Sequence, residues 1–374
     1  MKFIYFHLMP WTDIAETGQD WPIANKHFDP AKATGLYTRY IDTMAAAENY
    51  GFDWIGCNEH HFSPYGLMSN CNIIGAQLAD RTKRARIAML GNLIPLLNPI
   101  RVAEEYAMLD VMSGGRLIAG FMRGIPHEYV AYNAAPSDSF DRLDEAYQLI
   151  IKAWTEPEPF GWEGKYYQYR AVSIWPRPYQ KPHPPVLMSA STPESARFAA
   201  RRRAIMGIVL LPDLDTAREC IRVYQETARE SGWEPGPEHI LVGMHMCIAD
   251  TDDEAKRHMG EGLRYFYEVL GGGPRTAARL VMQKTRYYHD TANAAKTAAR
   301  RARLRQTTVD EAAEACTILC GSPDTVTKQI ERLHKELGNG ILNVTMKVGN
   351  IPEPVIKHGM ELFRDRVYPA VKHL

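Results

Sequence analysis

The chain has 374 residues, with 44 Lys and Arg against 44 Asp and Glu, and 45% of its residues are hydrophobic. This zero net charge argues against a general nucleic-acid binder, and the composition is that of a globular protein with a large core. No run reaches the ~18 apolar residues that a membrane span requires. The six cysteines form no CxxC pair and no signal peptide precedes the first apolar run, so we expect a cytoplasmic protein.

Short β-rich runs alternate with helical patterns along the chain, which is typical of βα units in a parallel sheet. The predicted strands cover residues 3–7, 53–57, 86–92, 116–122, 186–190, 205–211, 239–248 and 340–348. The helical patterns between them include 37–50, 72–79, 98–112, 139–154 and 322–337, and a terminal helix covers 354–373. Eight such units predict an α/β fold, a single (β/α)8 TIM barrel over residues 1–374. A doubly wound sheet is the alternative, although it rarely continues to eight regular units.

Three segments interrupt the βα rhythm and are predicted to be insertions, at about 8–35, 156–185 and 251–320. The second is rich in proline and aromatic residues and is expected to hold one hairpin. The third contains nine Lys or Arg against one acid between residues 275 and 305. That stretch is either a solvated helical face or a lid that hinges near Gly271 and spans about 271–310. Nucleic-acid binding is a third alternative, which no accompanying motif supports.

Functional side chains of a parallel barrel gather at the carboxyl ends of its strands. The densest titratable cluster there is Glu59-His60-His61, and a histidine in it can move protons near neutral pH. Adjacent side chains on an extended segment point to opposite faces. We therefore expect no metal, while a barrel metal hydrolase and a purely structural histidine pair remain as alternatives.

A possible phosphate site follows the fourth and fifth strands. Arg123 comes directly after an apolar strand, where a guanidinium can bind a phosphate through two hydrogen bonds. Ser191, Thr192 and Ser195 begin the next helix, whose free amides and dipole favour an anion. Simple N-capping is the alternative for these hydroxyls. No GxGxxG follows the first strand and no P-loop motif occurs.

The combination of these residues is similar to a known family. The similarity extends ungapped over about 52–125, with further support at 186–198 and at Cys320-Gly321-Ser322-Pro323. Within the first stretch it rests on Glu59-His60-His61-Phe62, Gly66-Leu67, Asn70, Arg81-Thr82-Lys83, Pro99, Glu104, Leu109-Asp110, Met112-Ser113, Gly115-Arg116 and Arg123-Gly124. The chain resembles bacterial luciferase and its relatives, the luciferase-like flavin-dependent monooxygenases.

The resemblance implies a barrel that binds reduced FMN, supplied by a separate NAD(P)H:flavin reductase, and that uses O2 as co-substrate. A flavin hydroperoxide then oxygenates an organic molecule. It also implies that His60 is the catalytic histidine and that Arg123, Ser191, Thr192 and Ser195 hold the FMN phosphate. Leu90, Gly91 and Asn92 are expected beside the flavin ring, with a non-prolyl cis peptide at Leu90-Gly91.

The substrate is expected to be small and mostly apolar, in a pocket to which His7, Trp11 and Glu59 contribute. A homodimer is expected to form through the helices after strands two and three, with Val102, Tyr106, Leu109 and Met112 supplying apolar surface. Two other functions stay open. One is a deazaflavin-dependent hydride transfer without oxygen, and the other is non-catalytic flavin binding.

Overall fold

A computed structural model of the chain describes residues 1–14, 21–271, 295 and 307–374. Its main sheet is a closed barrel of eight parallel strands in the order β1, β2, β3, β5, β8, β9, β10 and β12, and β12 pairs back onto β1. This confirms the predicted TIM barrel. The strands are β1 (Lys2–Phe6), β2 (Trp54–Cys57), β3 (Arg86–Met89), β4 (Asn92–Leu93), β5 (Leu117–Met122), β6 (Phe160–Glu163), β7 (Gln168–Val172), β8 (Val186–Ser189), β9 (Ile205–Ile208), β10 (Ile240–Ile248), β11 (Ile318–Gly321) and β12 (Ile341–Thr345).

Helices follow the strands, and many of them begin at a capping side chain. The Asn98 side chain accepts hydrogen bonds from the amides of Ile100 and Arg101, at 3.0 and 3.1 Å, so the helix begins at the predicted proline. The described α-helices are Pro30–Ala46, Cys71–Arg81, Pro99–Met112, Pro126–Ala131, Ser139–Thr155, Pro193–Arg201, Leu214–Glu230, Asp252–Tyr265, Val309–Glu314, Pro323–Leu337, Glu353–Leu362 and Tyr368–Val371. None of the described helices is long and apolar enough to cross a membrane.

The predicted insertions contain more regular structure than their sequences indicate. The first helix already begins at Pro30, because Asp29 caps it, although its first three residues are exposed and show no apolar periodicity. The hairpin expected in 156–185 is present as the antiparallel pair β6 and β7. At the ends of the 251–320 segment, the helix Asp252–Tyr265 follows β10 and the unpredicted strand β11 pairs with β10. Most of the predicted lid, residues 272–294 and 296–306, lies outside the described residues.

Three histidines of the described chain, His7, His127 and His245, are buried with at least one ring nitrogen that has no hydrogen-bond partner. Burial lowers the pKa of His127 and of His245 to about 4. Burial and the nearby Lys347 lower the pKa of His7 to about 3. These imidazoles are therefore neutral at neutral pH, which makes the folded state sensitive to acid.

We predict that the free energy of unfolding falls as the pH drops below about 6.5, the pKa of an unfolded histidine. The unfolded chain binds protons there, whereas folded His245 resists protonation until about pH 4. Replacing His245 with Phe should reduce the fall between pH 7 and pH 5 by about 2 kcal/mol. Denaturant titrations at both pH values measure this difference. His239→Phe, at the opposite end of β10, is the control, and a His245→Phe variant as acid-sensitive as the wild type would contradict the prediction.

Candidate active site

The two adjacent histidines that follow β2 bind different carboxylates. Nδ1 of His60 lies 2.8 Å from Oε1 of Glu128, and Nε2 of His61 lies 3.0 Å from Oε1 of Glu59. Nδ1 of His61 lies 3.2 Å from the hydroxyl of Tyr132, so both nitrogens of His61 are engaged. The two side chains diverge, as the alternation of an extended segment predicts. Of these two histidines, only His60 keeps a ring nitrogen without a carboxylate or hydroxyl partner among the described residues.

Glu128 is the residue that orients His60, and sequence reasoning missed it. It lies in the short helix Pro126–Ala131 after β5, its side chain is fully buried, and its Oε2 accepts a hydrogen bond from the amide of Ile125 at 2.6 Å. When Nδ1 of His60 donates to this carboxylate, Nε2 carries the lone pair and can act as a base. The only signal in the sequence is an acid in the first turn of a helix, which equally fits an interaction with the helix dipole.

Aromatic rings connect His60 to the opposite side of the barrel mouth. The Tyr65 ring packs edge-on against His60, with centroids 4.7 Å apart, and Phe266 lies 5.3 Å from Tyr65. His245, at the carboxyl end of β10, lies 5.1 Å from Phe266. The side chain of His60 remains 15% exposed. The histidine is thus accessible at the edge of a largely apolar surface.

The segment Leu90-Gly91-Asn92, predicted to lie beside the flavin, has the expected cis peptide. The side chain of Asn92 has a role that the sequence did not predict. The Leu90-Gly91 peptide is cis, and a Cβ at Gly91 would lie 2.4 Å from the carbonyl oxygen of Met89. No side chain fits at Gly91. The Asn92 amide exchanges two hydrogen bonds with Asn72, of 3.0 and 3.2 Å, inside the protein. This pairing argues against a cofactor contact through the Asn92 side chain, whose role here is structural.

Arg123, Ser191 and Ser195 line one small cleft, together with Phe121, Phe140, Leu143, Met188, Ser189 and Phe198. The guanidinium lies 5.8 Å above the Phe140 ring, and within the described residues no carboxylate pairs with it. A cation without a counter-ion beside two hydroxyls at a helix start suits a phosphate, and these residues fit the phosphate end of FMN.

Thr192 acts as the N-cap of the helix Pro193–Arg201 and does not line this cleft. Its hydroxyl accepts a hydrogen bond from the amide of Ser195 at 3.2 Å, and the two hydroxyls lie 2.9 Å apart. Thr192 therefore caps the helix, as the alternative interpretation of these hydroxyls predicted. Ser195 takes part in the same capping box and also borders the cleft.

Two of the three predicted substrate-pocket residues, His7 and Glu59, are buried against neighbouring side chains. His7 accepts a hydrogen bond from the Met9 amide at 2.8 Å, and its ring lies 4.5 Å from Tyr40 of the first helix, so it belongs to the layer between barrel and helices. Glu59 is buried against His61 and the thiol of Cys71, and burial raises its pKa. Neither side chain lines the cleft of Arg123 or the cavity of Trp11, and a place in the substrate pocket stays a prediction for both.

Trp11 does line a cavity, of about 330 Å³, between the first loop and the segment after His61. Phe28, Phe62 and Leu67 supply further apolar surface to it, and its volume lies in the range of small-molecule pockets. His60 is not among its lining residues. The cavity therefore lies beside the loop that carries His60 and not around His60 itself.

Residues 21–339 match the family model described as luciferase-like monooxygenase. Relatives include an alkanal monooxygenase alpha chain of Photobacterium leiognathi, 28% identical over 58% of this chain and 60% of that protein. Another is the oxygenase component of the flavin-dependent trigonelline monooxygenase of Acinetobacter baylyi, 27% identical over 63% of this chain and 66% of that protein. The chain thus spans about two thirds or less of the length of these relatives.

Two solved structures share the fold over nearly the whole chain. The oxygenating constituent of 3,6-diketocamphane monooxygenase of Pseudomonas putida, in complex with FMN, has a TM-score of 0.75 and 22% identity, with 99% of each chain covered. An F420-dependent secondary alcohol dehydrogenase has a TM-score of 0.69 and 19% identity, with 99% of this chain and 98% of that chain covered. Since the family model covers most of the sequence, the chain belongs to the luciferase-like monooxygenase family.

Proposed function

We propose that the chain is the oxygenase component of a two-component monooxygenase that uses reduced FMN and O2 to oxygenate a small, mostly apolar organic molecule. A separate NAD(P)H:flavin reductase supplies the reduced FMN. The observation that carries the proposal is His60, oriented by Glu128 at the same barrel mouth as the Arg123 cleft. The flavin-dependent oxygenase component among the relatives supports it.

In this proposal Arg123, Ser191 and Ser195 hold the FMN phosphate, and the Leu90-Gly91 backbone lies beside the ring, where Gly91 leaves no side chain in the way. Reduced FMN supplies the electrons that activate O2. The aromatic surface formed by Tyr65 and Phe266 excludes water from the reacting groups.

His60 provides the acid–base chemistry. Its Nε2 takes a proton from the substrate or its hydrate and returns it later, while Glu128 holds Nδ1 and stabilises the ring when it is charged. Acid–base help of this kind contributes about 10²–10⁴-fold to a rate.

Hydride transfer with a deazaflavin is the second candidate function, because an F420-dependent enzyme shares the fold. Titrating the isolated chain with reduced FMN and with reduced F420 separates the two. Tighter binding of reduced FMN, followed by oxygen consumption, supports the monooxygenase. Tighter binding of F420 without oxygen consumption supports hydride transfer. A purely flavin-binding protein would have no use for the oriented pair of His60 and Glu128.

We also place the protein in the cytoplasm. All six cysteines are free thiols and all are buried, which suits a reducing compartment.

Replacing Arg123 with Ala should weaken the binding of reduced FMN by about 10²-fold, because a charge-assisted contact to phosphate is lost. Anaerobic titration followed by flavin fluorescence measures the affinity. Arg177→Ala, which changes an exposed arginine, is the control. Unchanged affinity in Arg123→Ala would reject the phosphate assignment.

Replacing His60 with Ala should leave the binding of reduced FMN and oxygen consumption intact while product formation falls by roughly 10²–10⁴-fold. The consumed oxygen should appear as hydrogen peroxide. The assay supplies chemically reduced FMN, isotopically labelled dioxygen and a panel of apolar aldehydes and ketones. His239→Ala, at the amino end of β10, is the control. A His60→Ala variant that still forms labelled product at the wild-type rate would exclude this role.

A homodimer is the proposed assembly, and the structure changes the residues that would form it. Val102, Tyr106 and Leu109 are buried in the core of the chain itself, contrary to the prediction for them. Met112 is exposed, as expected. Three exposed apolar residues lie on the helix Pro99–Met112, namely Met108, Val111 and Met112. Ile73, on the preceding helix, is also exposed, and we propose that these four side chains form the interface.

We predict that Val111→Asp converts a homodimer into monomers, because a carboxylate in an apolar interface loses its hydration. Light scattering at micromolar protein gives the mass. Leu210→Asp, at another exposed apolar position, should leave the dimer intact. A monomeric wild-type protein would contradict the proposed assembly.

A further inference from the structure

A third ionisable side chain lies beside the pair of His60 and Glu128. His127 precedes Glu128 in the same short helix and is fully buried. No side chain of the described residues bonds to either of its ring nitrogens, and the backbone of His61 contributes a weak hydrogen bond. Its Nε2 lies 3.9 Å from Oε1 of Glu128, the same oxygen that contacts Nδ1 of His60 at 2.8 Å. Each of the three side chains offers one ligand atom, and these atoms all lie within 4.8 Å of one another.

This group has the composition of a zinc site. Two imidazoles and one carboxylate are a common set of three protein ligands, with water in the fourth position. Bonds of about 2.0–2.1 Å in a tetrahedron separate the ligand atoms by roughly 3.3 Å. The two observed distances to Glu128, 2.8 and 3.9 Å, lie on either side of that value. Small side-chain rotations suffice to bring the three ligand atoms around one ion.

We propose that His60, Glu128 and His127 bind one divalent transition-metal ion of the zinc type. The sequence-based expectation of no metal rested on the divergence of the neighbours His60 and His61 and on the absence of a ligand motif at another strand end. It did not include partners from the segment after β5, which the fold brings to His60. The fully buried ring of His127, to which no described side chain bonds, is the observation that distinguishes this group from an ordinary pair of histidine and glutamate.

A bound metal ion would affect the proposed function. This effect depends on the proposed function being correct, whereas the metal site itself does not. In the metal-free protein, the Nδ1–H group of His60 donates a hydrogen bond to Glu128. A metal ion bound to Nδ1 takes the place of this proton, and the neutral ring then carries its proton on Nε2. The lone pair of Nε2 is then no longer available as a base. The ion is therefore an inhibitor of oxygenation and not a cofactor.

Metal binding can be tested without turnover. We would titrate the full chain, freed of metal by a chelator, with Co²⁺ and follow the visible absorption of tetrahedral cobalt, then displace Co²⁺ with Zn²⁺ in a calorimeter. One ion should bind per chain. His127→Phe should weaken binding by more than about 10²-fold, because changes in the outer shell of a metal site already cost 10–100-fold. Glu128→Gln, which preserves the shape of the side chain, should also lose the tetrahedral spectrum.

The matched control is His358→Asn. His358 is a partly exposed histidine with two carboxylates nearby, Asp250 at 3.1 Å and Glu361 at 3.8 Å, and is the kind of surface group that binds metal adventitiously. Its replacement should change nothing at the tetrahedral site. Absence of stoichiometric binding by the wild type, or binding that survives both His127→Phe and Glu128→Gln, would overturn the proposal.

Folding and flavin binding are checked in the same variants, so that the outcomes remain distinct. Circular dichroism and the affinity for reduced FMN should match the wild type in His127→Phe. If that variant does not fold, Glu128→Gln alone decides. Cobalt binding with the predicted variant pattern, in a chain that does not bind FMN, would support the metal site and reject the proposed function. FMN binding and oxygenation without cobalt binding would support the proposed function and reject the metal site.

Discussion

The hydrogen bond between Nδ1 of His60 and Glu128 is the interaction on which the candidate site depends. It joins two segments 68 residues apart in sequence, the loop after β2 and the short helix after β5. These meet because β2, β3 and β5 are consecutive in the barrel, so that their carboxyl ends lie at one edge. The buried carboxylate determines which nitrogen of His60 carries the proton. The same carboxylate is central both to acid–base chemistry and to the proposed metal site.

The barrel mouth divides into regions of different polarity. At one edge lies the Arg123 cation, with two hydroxyls but no carboxylate partner among the described residues. The surface near His60 is formed largely by aromatic rings. A cofactor with a phosphate at one end and a flat ring at the other matches this division, since the charged end is held at the rim and the ring reaches the apolar side.

Much of the fold was predictable from the sequence, because the strands are short, apolar and regularly spaced. The rule that function gathers at strand ends correctly brought Arg123, Ser191 and Ser195 to one cleft. The rule does not say which face of a strand a residue occupies, and His7 is buried beside Tyr40 of the first helix. Phe3 and Tyr5, on the same side of β1, pack on Phe363 and Phe52, and His7 continues that outward row.

The roles of Glu128 and His127 could not be predicted from the sequence, for a different reason. Their significance comes from a contact across the barrel edge, and periodicity within a segment carries no information about such a partner. The same limit applies to Glu59, because its sequence position does not reveal that it bonds to His61. Asn92 was placed at the right strand end, and only the fold reveals that Asn72 engages its amide.

The protonation of His60 is the most direct test of this account. Nitrogen NMR of the chain labelled at histidine, with signals assigned by His60→Ala, reports which ring nitrogen carries the proton at neutral pH. The account predicts a proton on Nδ1, a bare Nε2, and a loss of this preference in Glu128→Gln. A proton on Nε2 with a bare Nδ1 in the wild type would contradict it, because His60 would then offer no base to the barrel mouth.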